Sequence, residues 1–128
     1  MIEKSSIRDL RIWHEAIDLA LGLYRVTSEF PKHELYGLTS QMRRAAVSIP
    51  SNIAEGKGHF GGDFTRFLLH ARGSLLELQT QIVIARGLNY LSEEQGTELT
   101  SRTNDLRRGL NGLIQAVRKT PRTNAVSE

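Results

Sequence analysis

Cysteine is absent from the chain. That excludes disulfides and thiolate metal sites and is compatible with a reducing compartment. Proline is scarce, at three residues, so long helices are open to most of the sequence. No apolar run is long enough to span a bilayer, and the first residues lack the basic-then-apolar pattern of a signal segment. The expectation is a cytoplasmic protein with no membrane partner. Charge of one sign does not dominate either: the net charge is +3. Strand-like alternation, internal repeats and low-complexity blocks are missing as well.

What remains is helical. The 128 residues suit one domain with one core. Leu, Ala, Arg, Glu and Gln, all good helix formers, dominate the middle of the chain. A first helix is predicted over Asp9–Phe30, capped by Ser6 or Asp9 and stopped by Pro31. It carries two apolar stripes. One is Leu10, Trp13, Ile17, Ala20, Leu21 and Tyr24; the other is Ile12, Ala16, Leu19, Leu23, Val26 and Phe30. A helix this apolar needs more burial than one bundle seam supplies, which leaves oligomerisation and deep burial within the monomer equally open.

A second helix is predicted from near His33, with Leu35, Leu38, Met42, Ala45, Ala46 and Ile49 inward. Pro50 should kink it, since proline removes a backbone hydrogen bond. Residues 56–62 read as a turn. The third helix is expected from Asp63 to about Arg86, ended by Gly87 and Asn89. Ser92 and Gln95 have the spacing of a capping box for the fourth. Pro121 limits that helix, and the polar remainder reads as a disordered tail. The expected domain plan is a lead over 1–8, a bundle over 9–120 and a tail over 121–128. Short connections imply an all-α, antiparallel up-down-up-down four-helix bundle.

Catalytic and cofactor motifs fail on inspection. His14, Glu15 and Asp18 approximate the zinc-protease helix pattern, but the second histidine position is Asp18. No glutamate has a histidine three residues later, as a di-iron bundle requires, and His33, His59 and His70 are scattered. Gly56, Gly58 and Gly61 spell G-x-G-x-x-G, but a dinucleotide site needs a preceding strand. No serine stands in a recognised nucleophile elbow. The expectation is a protein that is not an enzyme and takes no metal or cofactor.

Basic residues are the better lead. Most are arginines, the lysines being Lys4, Lys32, Lys57 and Lys119, and arginine suits bidentate phosphate contacts. The candidate nucleic-acid-binding residues are Arg43, Lys57, Arg102, Arg107, Arg108, Arg118 and Lys119, with Arg44 beside the first and Arg122 beyond the last. Repeated around an oligomer, such stripes would hold a polyanionic backbone. Taken one at a time, each cluster also fits a solvated face with local ion pairs.

The stretch Gln41-Met42-Arg43-Arg44-Ala45-Ala46-Val47-Ser48-Ile49-Pro50-Ser51-Asn52-Ile53-Ala54-Glu55-Gly56 resembles the four helix bundle protein family, also described as the 23S rRNA intervening-sequence proteins. The resemblance takes in Asp9 to Trp13, Phe30-Pro31 with Glu34 to Leu38, Phe67-Leu68 and Ala71 to Leu78. It implies a small bacterial protein forming a homopentameric ring of antiparallel bundles. A related group, the accessory proteins of diversity-generating retroelements, binds nucleic acid and a reverse transcriptase. No catalytic residues are implied. Arg44, Ser48, Asn52 and Glu55 recur at helical spacing within the stretch. They are expected to form a polar network that fixes the kink and a subunit contact. The expected partners are therefore further copies of the chain, with RNA or DNA, or alternatively a protein for which this one is an adaptor.

Overall fold

A computed structural model describes residues 4–58 and 63–119, with side chains from Leu10 onward. The described residues hold four helices and no strand: α1 Lys4–Thr27, α2 Leu38–Lys57, α3 Asp63–Gly87 and α4 Glu93–Lys119, with a 3-10 turn at Lys32–Glu34. Each helix packs on the next and α4 closes the square on α1, and side chains of all four meet in one core. Gln79 meets Asn104 and Arg72 meets Asn111 across α3 and α4, so positions rise on one helix as they fall on the other. The same opposed register appears between α2 and α3, where Ser48 meets Ser74 and Gly56 lies under Phe67.

Of the two apolar stripes on α1, the bundle buries one more fully than the other. Ile12, Ala16, Leu19 and Leu23 are buried with Met42, Ala46, Ile49 and Ile53 of α2, Leu68, Leu75, Leu78 and Ile82 of α3, and Leu106, Leu110 and Leu113 of α4. Each fully buried aliphatic side chain stabilises the bundle by roughly 1.5–3 kcal/mol. Two glycines bring backbones close. A Cβ on Gly56 would lie 2.6 Å from the Phe67 Cβ, and one on Gly109 would lie 2.5 Å from the Ile12 Cδ1.

The helix ends differ from the expectation where side chains compete for backbone groups. α1 begins at Lys4, inside the expected lead, so Ser6 and Asp9 lie within it. It ends at Thr27, short of Phe30, because Pro31 lacks an N–H and disfavours helical backbone at the residue before it; the Thr27 and Ser28 hydroxyls donate to the carbonyls of Leu23 (2.8 Å) and Arg25 (2.6 Å) in this last turn. The chain then tightens, with Phe30 N donating to Thr27 O at 3.0 Å. α2 starts at Leu38, later than His33, because Gly37 breaks the run and Glu34 Oε1 accepts the free Leu38 amide at 3.0 Å. Pro50 sits inside α2, whose helical span continues to Lys57.

Both expected caps around the last connection are present. Asn89 adopts φ 63°, and Tyr90 N donates to Ala85 O at 2.9 Å, which closes α3 with a left-handed residue. Ser92 and Gln95 exchange side chain-to-backbone hydrogen bonds of 3.0 Å each at the start of α4. The expected tail, Pro121 and Arg122 lie outside the described residues, as do His59 and Gly61. No described helix is long and apolar enough to cross a membrane.

Candidate interaction surfaces

The other apolar stripe of α1 is buried only in part: Ala20 is buried and Trp13 packs against the core, while Leu10, Leu21 and Tyr24 are exposed. Trp13, Ile17, Ala20, Leu21 and Tyr24 line one wall of an open groove of about 510 Å³, and Val47, Pro50, Ser51 and Ala54 of α2 line the other. Leu10 and Leu21 are 56% and 51% exposed. A second apolar face lies on the outside of α3, where Leu76, Val83 and Ile84 are exposed, Val83 to 68%, with exposed Leu88 just past its end. These two faces sit on different sides of the bundle. α4 carries no exposed large hydrophobic residue at all.

The seven basic candidates divide into two groups. Arg43 is committed to the fold: its Nε donates to Thr27 Oγ1 at 2.9 Å, its Nη2 to Tyr24 O at 3.3 Å, and its guanidinium lies 4.5 Å from the Tyr24 ring centroid. It ties off the carbonyl end of α1. Arg102 lies against Gly22, in a recess shared with Glu15, Asp18 and Asp105. Arg107 is half-buried and donates to Asn104 Oδ1 at 3.1 Å.

The remaining candidates face outward. Arg108 pairs with exposed Asp105, and both Arg118 and Lys119 are exposed on the last turn of α4. Lys57 is exposed, with its ammonium 5.4 Å from the Phe64 ring centroid. Two cations absent from the candidate set join this end of the bundle. Arg72 Nη1 donates to Asn111 Oδ1 at 3.0 Å, and Arg66 lies by the same register level with Arg118. Pairing of α3 with α4 creates this grouping, so no local motif signals it.

The polar network takes a different membership from the one expected. Asn52 Nδ2 donates to Ser48 O at 2.8 Å and to Ser48 Oγ at 3.0 Å, and Ser74 of α3 bonds Ser48 Oγ at 2.9 Å. Ser48, Asn52 and Ser74 thus join α2 to α3. Arg44 and Glu55 stand outside it, exposed. Eleven helical positions separate them by about 16 Å, beyond the reach of an ion pair. Arg44 lines a second recess with Tyr24, Leu35, Tyr36 and Val47, continuous with the apolar groove.

Other singled-out residues are placed plainly. His14, Glu15 and Asp18 are all exposed on α1, and the His14 ring meets Trp13 edge-on at 5.0 Å. Gly56 is buried inside α2 beneath Phe67, so it serves helix packing and not a phosphate loop. One pair of titratable groups is perturbed. The Leu38 amide and the Tyr90 hydroxyl, both donating to Glu34, hold its carboxyl below the usual range, and the same bond raises the Tyr90 phenol. They clasp the α1–α2 connection to the α3–α4 connection.

The fold is similar to that of a crystal structure of a protein with unknown function from the S23 ribosomal protein family of Bacteroides thetaiotaomicron. The TM-score is 0.78 at 17% identity, over 84% of this chain and 98% of that one. No curated protein matches the chain. Residues 8–112 match the family described as 23S rRNA-intervening sequence protein, and this match spans the bundle from α1 into the second half of α4. The chain belongs to the 23S rRNA-intervening sequence protein family.

Proposed function

We propose that the protein is a non-enzymatic, cytoplasmic binding protein. It assembles as a homopentameric ring and engages RNA or DNA through arginine-rich faces. The observation that carries this reading is the division of the described surface. Exposed large hydrophobics lie on α1, α2, α3 and their connections, and none lies on α4, where exposed cations cluster. A closed ring of five uses a heterologous contact, in which two different patches meet. The α1–α2 groove and the outer face of α3 are two such patches. Repetition of a weak basic face around the ring then multiplies its affinity for a polyanion. The accessory proteins of diversity-generating retroelements, a group related to the family that the sequence resembles, bind nucleic acid, which favours the same reading.

Sedimentation equilibrium together with gel-shift titration against structured RNA and duplex DNA at several salt concentrations tests the reading. The expected result is a particle of five chains and binding that weakens steeply with salt. Absence of binding at low salt sinks the nucleic-acid reading.

A second reading, an adaptor for another protein, is favoured by Tyr36. This residue is 94% exposed beside Leu35 and close to Arg44, and Tyr and Arg are enriched at protein interfaces. Capture of a partner that survives nuclease treatment and is lost with Tyr36→Ala supports the adaptor.

A further inference from the structure

We infer that the outer face of α4, flanked by Arg66 and Arg72 of α3, binds the phosphate backbone of a nucleic-acid duplex and reads no bases. This deepens the nucleic-acid reading above and rests on it. From Leu106 to Lys119 the helix contains no acidic residue. Arg108, Asn111, Gln115 and Arg118 with Lys119 recur at three- or four-residue intervals and are exposed, so they form one outward row. The row is about 16 Å long, enough to follow several successive phosphates along one strand.

Asn111 is oriented for this use. Arg72 donates to its Oδ1 at 3.0 Å, which engages the amide's oxygen and leaves its Nδ2 as the end to offer a phosphate. Arg66, in an exposed pair with Asp63 at 3.6 Å that is weakly held, extends the track sideways by one helix spacing, about 8–10 Å. The carbonyl end of α4 repels anions, and Arg118 and Lys119 on the last turn offset that dipole. Arg108 and Asp105 are exposed to 68% and 66%, so their pair is weakly held and exchanges readily for a phosphate.

The duplex preference follows from what α4 presents. It contains no aromatic residue and no exposed large hydrophobic. Single-strand binders stack bases on aromatic rings, and this face provides no ring. A duplex instead offers ordered phosphates, which cations engage without regard to sequence. The face also stays wet when the apolar faces of the other helices are covered by neighbouring subunits.

Fluorescence anisotropy tests this with one 20-base-pair sequence presented as duplex RNA, duplex DNA and each single strand, over a salt series. The variants are Arg108→Gln/Arg118→Gln/Lys119→Gln, Gln115→Glu (which keeps every cation) and the control Arg25→Gln at the other end of the bundle. The expected result is tighter binding of a duplex than of either single strand, the tighter duplex naming the source. The triple variant should lose at least tenfold in affinity, with a salt slope shallower by about 2–3, since each phosphate contact contributes roughly 0.9. Gln115→Glu should weaken binding several-fold, and Arg25→Gln should leave it within about twofold, on the same counterion argument. Preference for single strands, or an unchanged slope in the triple variant, overturns the α4 assignment while the wild type still binds. A wild type that binds none of these probes overturns the broader reading itself.

Discussion

The Tyr90 hydroxyl donates to Glu34 Oε2 at 2.8 Å across 56 residues of sequence. The other oxygen of Glu34 caps the first amide of α2, and the Tyr90 ring packs at 5.2 Å on Phe30. One carboxylate therefore starts a helix and locks two connections together at one end of the bundle.

Because the Glu34 carboxyl is held below its ordinary value, chiefly by the Leu38 amide and then by Tyr90, it stabilises the fold through its charged form. That contribution is present above the unfolded value near 4.5 and is lost as pH falls through the lowered folded value. Thermal unfolding between pH 6 and pH 3 should show wild type losing more stability than Glu34→Gln. Tyr90→Phe should lie between them. Equal acid sensitivity in all three contradicts the clasp.

Gly56→Ala should destabilise the fold. Its Cβ would lie 2.6 Å from the Phe67 Cβ, which is fixed to backbone and cannot swing away. Overpacking costs about 1–3 kcal/mol, less the roughly 0.5–1 kcal/mol that alanine gains in a helix. Gly112→Ala, with nothing within 4 Å of its Cβ, should gain about 0.5–1 kcal/mol instead. Urea unfolding of the pair reads both signs.

Arg43→Ala should cost about 1–2 kcal/mol in urea unfolding, because the guanidinium holds the end of α1 at Thr27 and Tyr24. Its loss should change stability more than polyanion affinity. The reverse result would return Arg43 to the binding face.

Much of the fold was legible in the sequence, and the reasons are local. The apolar rows of α1 to α4, the Ser92–Gln95 cap and the Asn89 stop depend on neighbours within five positions. The helix boundaries at Thr27 and Leu38 were not, because the tightened turn ahead of Pro31 and the Glu34 cap override the 3.6-residue pattern. The surface was harder still. Arg43, Arg102 and Arg107 look alike in sequence to Arg118, and only helix pairing shows that the first three lie against Tyr24, Gly22 and Asn104. The same pairing brings in Arg72, and it separates Arg44 and Glu55 from the Ser48–Asn52 pair.

Leu21→Glu places a charge in the α1–α2 groove, and Val83→Glu places one on the outer face of α3. Both residues are exposed in the single chain, at 51% and 68%, so helical content should hold in each. Sedimentation should show each variant reduced to a single chain. Mixing the two variants should restore association between the one intact groove and the one intact α3 face. Full-size particles from either variant alone would remove that face from the subunit contact.

The central claim is that apolar faces assemble the protein so that a weak basic face binds nucleic acid many times over. Its most direct test compares duplex RNA binding by wild type and by Leu21→Glu at the same chain concentration and salt. The variant keeps Arg108, Arg118 and Lys119 but not the groove. The account predicts salt-dependent binding by wild type and an affinity at least tenfold weaker in the variant, since avidity commonly contributes a factor of about 10²–10⁴. Equal binding by the assembled and the single-chain forms, or none by either, would contradict it.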